Sequence, residues 1–211
     1  MFYSTYVVNE DKTLKIKNFC DFLYPLGVED RKLLLTKLQA YTWSRLLKLE
    51  FIKKRGIKFP SFRFIEDHKP HWMVCLLAEK VAFVREHLYY YRRRNGQLTR
   101  CTDERRILVI DVYCDIEEYL RGEKIYSLYR KEFLQKKYRA YLGGFLNLDV
   151  QFREEFLKKV KIPLLEIFFL LTRYNLLIYG LFLIFLKLPF IESLDIPRRL
   201  YIKYKQYKKW Y

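Results

Sequence analysis

Glycine is scarce in this chain, with 7 in 211 residues. A phosphate-cradling loop has little to be built from. No Walker-type loop, no G-x-S-x-G elbow and no H-E-x-x-H pair occurs. Cysteine is limited to Cys20, Cys75, Cys101 and Cys114. No pair has C-x-x-C spacing, so neither a zinc knuckle nor a dithiol redox motif is indicated, and the four read as reduced, mostly buried thiols. Histidine numbers 3. His68 and His71, with Cys75 four residues on and Glu66-Asp67 just before, have the types of zinc ligands. Pro70 separates the two histidines and no fourth ligand follows by spacing, so the expected reading is a polar loop entering a helix. No internal repeat, low-complexity linker or cleavable leader is read. The absence of a leader fits a protein made in the compartment where it works.

Acidic residues are also few, 24 against 41 Lys+Arg, giving a net charge of +17 and a pI near 9.6. A field of that sign attracts nucleic acid or anionic lipid. Hydrophobic residues make up 51% and aromatics 18%, with 19 Tyr and 17 Phe, which excludes a disordered basic tail. The excess of Phe, Tyr, Leu and Lys over Ala and Gly resembles coding from an AT-rich, organellar genome.

Asp111, Asp115, Glu117 and Glu118 gather acid on one helical stretch, with Asp111 and Asp115 one turn apart. Paired carboxylates can do acid–base work or hold Mg²⁺. The plainer reading is a solvated face pairing with Arg105, Arg106 and Arg121. No catalytic residue, cofactor or metal is therefore assigned, and the chain is expected not to be an enzyme.

Periodicity predicts helices almost throughout. After Glu29-Asp30, the residues Leu34, Leu35, Leu38, Tyr41, Leu46 and Leu49 recur at helical steps until Lys53-Lys54-Arg55-Gly56. A second helix is predicted from His71 to Tyr91 through Met73, Leu77, Val81, Val84 and Leu88. A third spans Thr102 to Arg121, although β-branched residues at 107–113 also suit a strand. A fourth runs from Lys124 to Leu142, closed by Gly143-Gly144. A fifth, Val150 to Lys161, is capped by Asp149.

Residues 162–191 form one long apolar run. Its longest charge-free stretch, Tyr174 to Leu186, would rise about 20 Å, short of the roughly 30 Å hydrocarbon core. Glu166, Arg173, Asn175 and Lys187 interrupt the run, and basic residues flank it on both sides, against the one-sided bias of a membrane span. The fold class expected is mostly α: an irregular helical assembly subunit with one long apolar C-terminal helix, whose 164–188 stretch is a candidate single span. The chain divides on this reading into a basic helical region, 1–161, the apolar helix, 162–191, and a basic aromatic tail, 192–211.

Basic residues interleave with rings in three places. Arg92, Arg93 and Arg94 follow Tyr89-Tyr90-Tyr91. Lys136, Lys137 and Arg139 sit with Tyr138 and Tyr141. Lys203, Lys205, Lys208 and Lys209 alternate with Tyr201, Tyr204 and Tyr207 before Trp210-Tyr211. Rings stack on unpaired bases while Arg and Lys neutralise phosphates. The same residue types also describe a protein interface or a membrane-headgroup belt.

Two segments resemble the small-subunit ribosomal protein four family. Phe190-Ile-Glu-Ser193-Leu-Asp-Ile-Pro-Arg198-Arg-Leu200 resembles its F-x-x-[S/T]-x-x-x-x-R-x-L pattern, with Lys187 where the family has Arg. Ile125-Tyr126, followed by Lys131 and Phe133, resembles its I-Y-x-x-x-x-K-x-F segment. Gly180-Leu-Phe-Leu stands where the family has R-L-D-N, the family's V-N-G strand is missing, and Pro197 interrupts the second helix. The resemblance implies an rRNA-binding scaffold with Lys187, Arg198 and Arg199 on phosphates.

The expected function is a non-enzymatic structural subunit of a mitochondrial, organelle-encoded ribosome, with rRNA and neighbouring protein subunits as partners. The alternative is a single-span accessory subunit of an inner-membrane complex, touching inner-membrane lipids and membrane subunits, with Glu166 or Arg173 paired to a neighbour.

Overall fold

A computed structural model describes residues 2–8, 14–17, 30–61, 64–92, 96–161 and 163–173, together with the helical positions Leu181 and Ile184. The chain divides into two compact units, Met1–Arg100 and Cys101–Tyr211. That boundary differs from the expected one at 161/162.

The first unit holds three strands, β1 (Phe2–Val8), β2 (Leu14–Lys17) and β3 (Phe83–Arg92), and three helices, α1 (Arg31–Lys37), α2 (Leu49–Lys54) and α3 (His68–Leu77). The sheet order is β2-β1-β3, with β1 antiparallel to β2 and parallel to β3. The second predicted helix is corrected here: α3 stops at Leu77 and the chain is a strand by Phe83. Val84 and the rings Phe83, Tyr89, Tyr90 and Tyr91 suit a pleated surface. β1 supplies the pairing that an isolated reading of 71–91 lacks. The chain is mostly helical as expected, but helices do not run almost throughout: the first unit carries this three-stranded sheet.

The first predicted helix is likewise shorter. Leu38 is extended after α1. Leu34, Leu35 and Leu38 are buried, as are Trp72, Val74 and Leu76 of α3, whereas Leu46 and Leu49 are 57% and 64% exposed. Arg31 binds the end of α3 to the start of α1. Its guanidinium donates to the carbonyls of Cys75 (3.0 Å) and Ala78 (3.1 Å) and also to that of Leu76. These are C-terminal carbonyls that a helix leaves without partners.

Among its described residues the second unit has helices and connecting turns and no strand: α4 (Leu108–Gly122), α5 (Tyr126–Leu146), α6 (Val150–Lys159) and α7 (Leu164–Phe168), the last continued by a wider turn over Phe169–Arg173. The β-branched run at 107–113 is helix because Val109, Ile110, Val112, Tyr113, Ile116 and Leu120 fall on one buried face. Buried rings form much of the core. Tyr141 meets Tyr113 (6.2 Å), Tyr138 (5.7 Å) and Phe156 (6.2 Å) edge-on, the preferred geometry for paired rings.

Gly143-Gly144 do not end α5, contrary to the sequence expectation. The helix runs through them because Gly144 lies against α4: a Cβ there would meet Val109 Cγ1 at 3.1 Å and Phe156 Cε2 at 3.5 Å. Asp149 occupies the N-cap position of α6, its carbonyl accepting from the Phe152 N–H at 3.0 Å, but its side chain makes no bond to the helix. Its carboxylate instead accepts from Thr102 Oγ1 at 2.7 Å, and its N–H donates to the Thr102 carbonyl at 2.7 Å.

The expected apolar helix is described only to Arg173, and at Leu181 and Ile184. Among the described residues no helix is long and apolar enough to cross a membrane.

Candidate nucleic-acid interface

Side chains alternate along β3, which sorts its rings onto two faces. Tyr89 and Tyr91 stack on Trp43, with centroids 5.0 and 5.3 Å apart, and Trp43 stacks in turn on Tyr41 at 4.7 Å. This face of β3 is therefore covered by the 3₁₀ turn Thr42–Ser44. Tyr90 belongs to the opposite face and is 63% exposed, and Arg92, two residues on, is also exposed. The register sets Tyr6 beside Tyr90 and Val8 beside Arg92, with Ile16 and Leu14 next across the sheet. Pairing skips Leu88, which is 50% exposed. Gln97 Nε2 donates to the Arg92 carbonyl at 2.7 Å. Arg93 and Arg94 lie outside the described residues.

On α5, Lys131 and Arg139 are exposed and Lys136 is half-buried. Lys131 and Arg139 are eight positions apart, about 12 Å along the helix axis and roughly 80° apart around it. Lys137 faces the other way. It is buried, with Nζ 3.2 Å from Glu117 Oε2 and 3.3 Å from Glu166 Oε2. Its expected role on RNA is corrected accordingly: its charge is engaged within the unit. Lys187, Arg198, Arg199, Lys203, Lys205, Lys208 and Lys209 lie outside the described residues.

The carboxylates around Lys137 form a closed network. Tyr138 donates its hydroxyl to Glu166 Oε2. Burial, and then the charge of Glu166, push the Tyr138 phenol far above its ordinary range. Arg121 donates to Glu117 Oε1 from Nε (3.0 Å) and from a terminal nitrogen (2.6 Å), and its guanidinium lies 4.0 Å from the Tyr126 ring centroid. Burial raises the Glu117 carboxyl, but Lys137 and Arg121 outweigh it and the net shift is downward. The Tyr126 phenol is pushed up to about 12, first by burial and then by Glu117 and Glu166. Asp111 pairs with Lys159 at 2.6 Å. Of the three arginines expected beside the acidic cluster, Arg121 takes that role. Arg105 pairs with Asp103, and Arg106 donates to the Cys101 carbonyl.

Sequence reasoning missed the pairing of Glu166 inside the chain. The signal was its place in an apolar run, since a carboxylate buried there needs a cation.

The first unit has a cleft of about 180 Å³ lined by Arg45, Asp67, His71 and six neighbours. Arg45 directs its guanidinium to protein acceptors: Nε to the Tyr41 carbonyl (3.1 Å), one terminal nitrogen to His71 Nδ1 (3.0 Å), the other to the Gln39 carbonyl. Because arginine only donates, His71 Nδ1 is the acceptor in this contact. Cys75 Sγ lies 3.7 Å from the same nitrogen. Among the described residues no group of three or more His, Cys, Asp or Glu is placed to hold a metal ion. Burial, with Glu66 adding to it, raises the Asp67 carboxyl to about 6.

Comparison with protein-family models, with curated proteins and with solved structures finds no match for the chain.

Proposed function

We propose that this chain is a non-enzymatic structural subunit of a ribonucleoprotein, an organelle-encoded subunit of the mitochondrial ribosome, and that it holds rRNA through basic and aromatic residues. One observation carries the reading: Tyr90 and Arg92 are exposed together on one sheet face, in a chain of net charge +17. Arg93 and Arg94 extend that cluster in sequence. Lys131, Lys136 and Arg139 supply a second basic surface on α5. The resemblance to the ribosomal family adds Lys187, Arg198 and Arg199 as phosphate ligands, and the tail lysines 203, 205, 208 and 209 add charge. Neighbouring protein subunits would cover exposed apolar residues such as Leu46 and Leu49.

The test is a salt titration of the full chain with rRNA fragments. Affinity should fall steeply between about 50 and 200 mM salt. Changing Arg92, Arg93 and Arg94 to Glu should weaken binding and flatten the slope, and Lys137→Gln should leave the slope alone. An unchanged slope in the triple variant removes the assignment. Co-sedimentation with ribosomal particles after detergent lysis tests the particle itself.

A second reading, an accessory subunit at the inner membrane, draws on a separate observation. Leu164, Leu165 and Phe168 are 73%, 59% and 58% exposed, just after the exposed Lys158, Lys159 and Lys161. Such a cationic stretch before an apolar one suits an anionic bilayer surface. Alkaline carbonate extraction separates the readings, since it releases a ribosomal subunit and leaves an integral one with the membrane.

A further inference from the structure

We infer that the cleft of the first unit is a pocket for one unpaired guanine base of RNA, with the Asp67 carboxylate reading the two adjacent N–H donors of that base. This inference rests on the RNA-binding reading and names the base that the chain would select. Three observations bear on it. First, the size suits one flat ring system. The cleft holds about 180 Å³ between apolar walls from Leu46, Leu47, Phe59, Pro70 and Val74, and an apolar cavity of about 150 Å³ is enough for benzene. Phe59 is 47% exposed, so the cleft is reached from solvent. Second, Asp67 shares one side of α3 with Pro70, His71 and Val74, at helical steps of three and four. It holds the N-cap position, yet its carboxylate makes no capping bond to the helix. It accepts from its own N–H, which leaves acceptor sites of about four on a carboxylate. Third, Arg45 is the opposite charge in the cleft, and its three nitrogens donate to the Tyr41 and Gln39 carbonyls and to His71 Nδ1.

Charge and donor pattern choose the occupant. Arg45 and Asp67 balance one another, so a charged ring would leave one charge uncompensated among apolar walls. A neutral ring does not. The Asp67 carboxyl, although raised to about 6, is ionised at neutral pH and then only accepts. Guanine presents two neighbouring donors, N1–H and the 2-amino group, which match the two carboxylate oxygens as a fork. Adenine, cytosine and uracil each set a ring or carbonyl acceptor beside their donor, and that acceptor would face a carboxylate oxygen. The base must be unpaired, because pairing uses the same edge, and specific readers of RNA take splayed-out bases by that edge. The phosphates stay outside the cleft, where the net charge of +17 favours them. That outside contact is what a strand has and a free nucleotide largely lacks.

The experiment is fluorescence anisotropy on the full chain at neutral pH, with a labelled oligouridine strand carrying one central guanosine, and the same strand with inosine or uridine at that position. Inosine keeps N1–H and lacks the 2-amino group. Wild type should prefer guanosine to inosine by about tenfold, the scale of one hydrogen bond to a charged group, and to uridine by at least as much. Asp67→Asn offers one acceptor and one donor in place of two acceptors. It should lose about tenfold on the guanosine strand, abolish the preference over inosine, and bind the all-uridine strand within about twofold of wild type. Unlabelled GMP should displace the guanosine strand only at concentrations well above that strand's Kd. Equal wild-type affinity for the guanosine and inosine strands overturns the pocket, whatever the variant does. So does an Asp67→Asn chain that keeps the preference. GMP that competes at the strand's own Kd assigns the cleft to a free nucleotide and overturns the proposal as well. In each of these cases salt-dependent binding of the all-uridine strand leaves the broader RNA-binding reading standing. No binding of any strand by the wild-type chain overturns both.

Discussion

Lys137 on α5 and Glu166 on α7 meet inside the helical unit, Nζ to Oε2 at 3.3 Å, with each side chain 7% exposed. The pair ties the start of the apolar run onto α5. A lone buried charge is far more costly than a hydrogen-bonded pair, and here Tyr138 donates to the same carboxylate. Glu166→Ala leaves Lys137 with Glu117 but strips the Tyr138 hydroxyl of its acceptor, and should cost about 1–3 kcal/mol, read from urea denaturation followed by far-UV circular dichroism. Lys137→Met with Glu166→Leu should cost less, because apolar side chains of similar size replace the pair and Glu117 keeps Arg121. Equal losses in the two variants would show that the stranded Tyr138 hydroxyl, common to both, sets the cost.

Gly144 of α5 packs closely against Val109 of α4. Alanine in a helix normally gains about 1 kcal/mol over glycine. Here the added methyl meets Val109 Cγ1 at 3.1 Å and the Arg106 carbonyl at 3.4 Å. Gly144→Ala should therefore destabilise by about 1–2 kcal/mol, and Val109→Ala in the same chain should recover part of the loss. Gly122, with nothing within 4 Å of a built Cβ, should accept alanine without loss. Thermal melts of the three variants beside wild type check the order.

Asp67 gives the first unit a pH dependence of definite sign. Its carboxyl is raised from 3.8 to about 6, burial being the main cause. The folded state thus holds the proton more tightly than the unfolded state. The stability from this group is fully present below pH 3.8 and is lost as pH rises through about 6, a change of about 2–3 kcal/mol. Asp67→Asn should gain on wild type progressively between those pH values and level off above them. Tryptophan fluorescence during denaturation suits the measurement, since Trp43 and Trp72 both belong to this unit. A wild-type-minus-variant difference that stays flat with pH would falsify the assignment.

Arg31 closes the C-terminal end of α3 from a distance in sequence. Hydrogen bonds to a charged group are each worth about 1.5–3 kcal/mol. Arg31→Met keeps most of the stem and removes the donors to Cys75, Leu76 and Ala78. The first unit should lose about 2–3 kcal/mol, and amide exchange should quicken in the last turn of α3 ahead of the rest of the helix.

The residues alone determined the basic, ring-rich character of the chain, and the helices whose burial follows a local 3.6-residue period. The helix over α4, although its 107–113 run also suited a strand, and the start of α6 after Asp149 could be read from the sequence. Tertiary structure decided what depends on partners remote in the chain. Residues 83–92 are a strand because β1, which sets Phe2 beside Phe83, supplies backbone partners that no local window contains. Gly143-Gly144 continue a helix because Val109 leaves no room for a side chain at Gly144. Lys137 is a core residue, although in sequence it matches the solvent-facing Lys131, because Glu117 and Glu166 come to it from other helices. Periodicity reports which face of an element is apolar. The partner of a buried charge and the pairing of a strand are set by contacts between distant segments, and those exist only once the chain has folded.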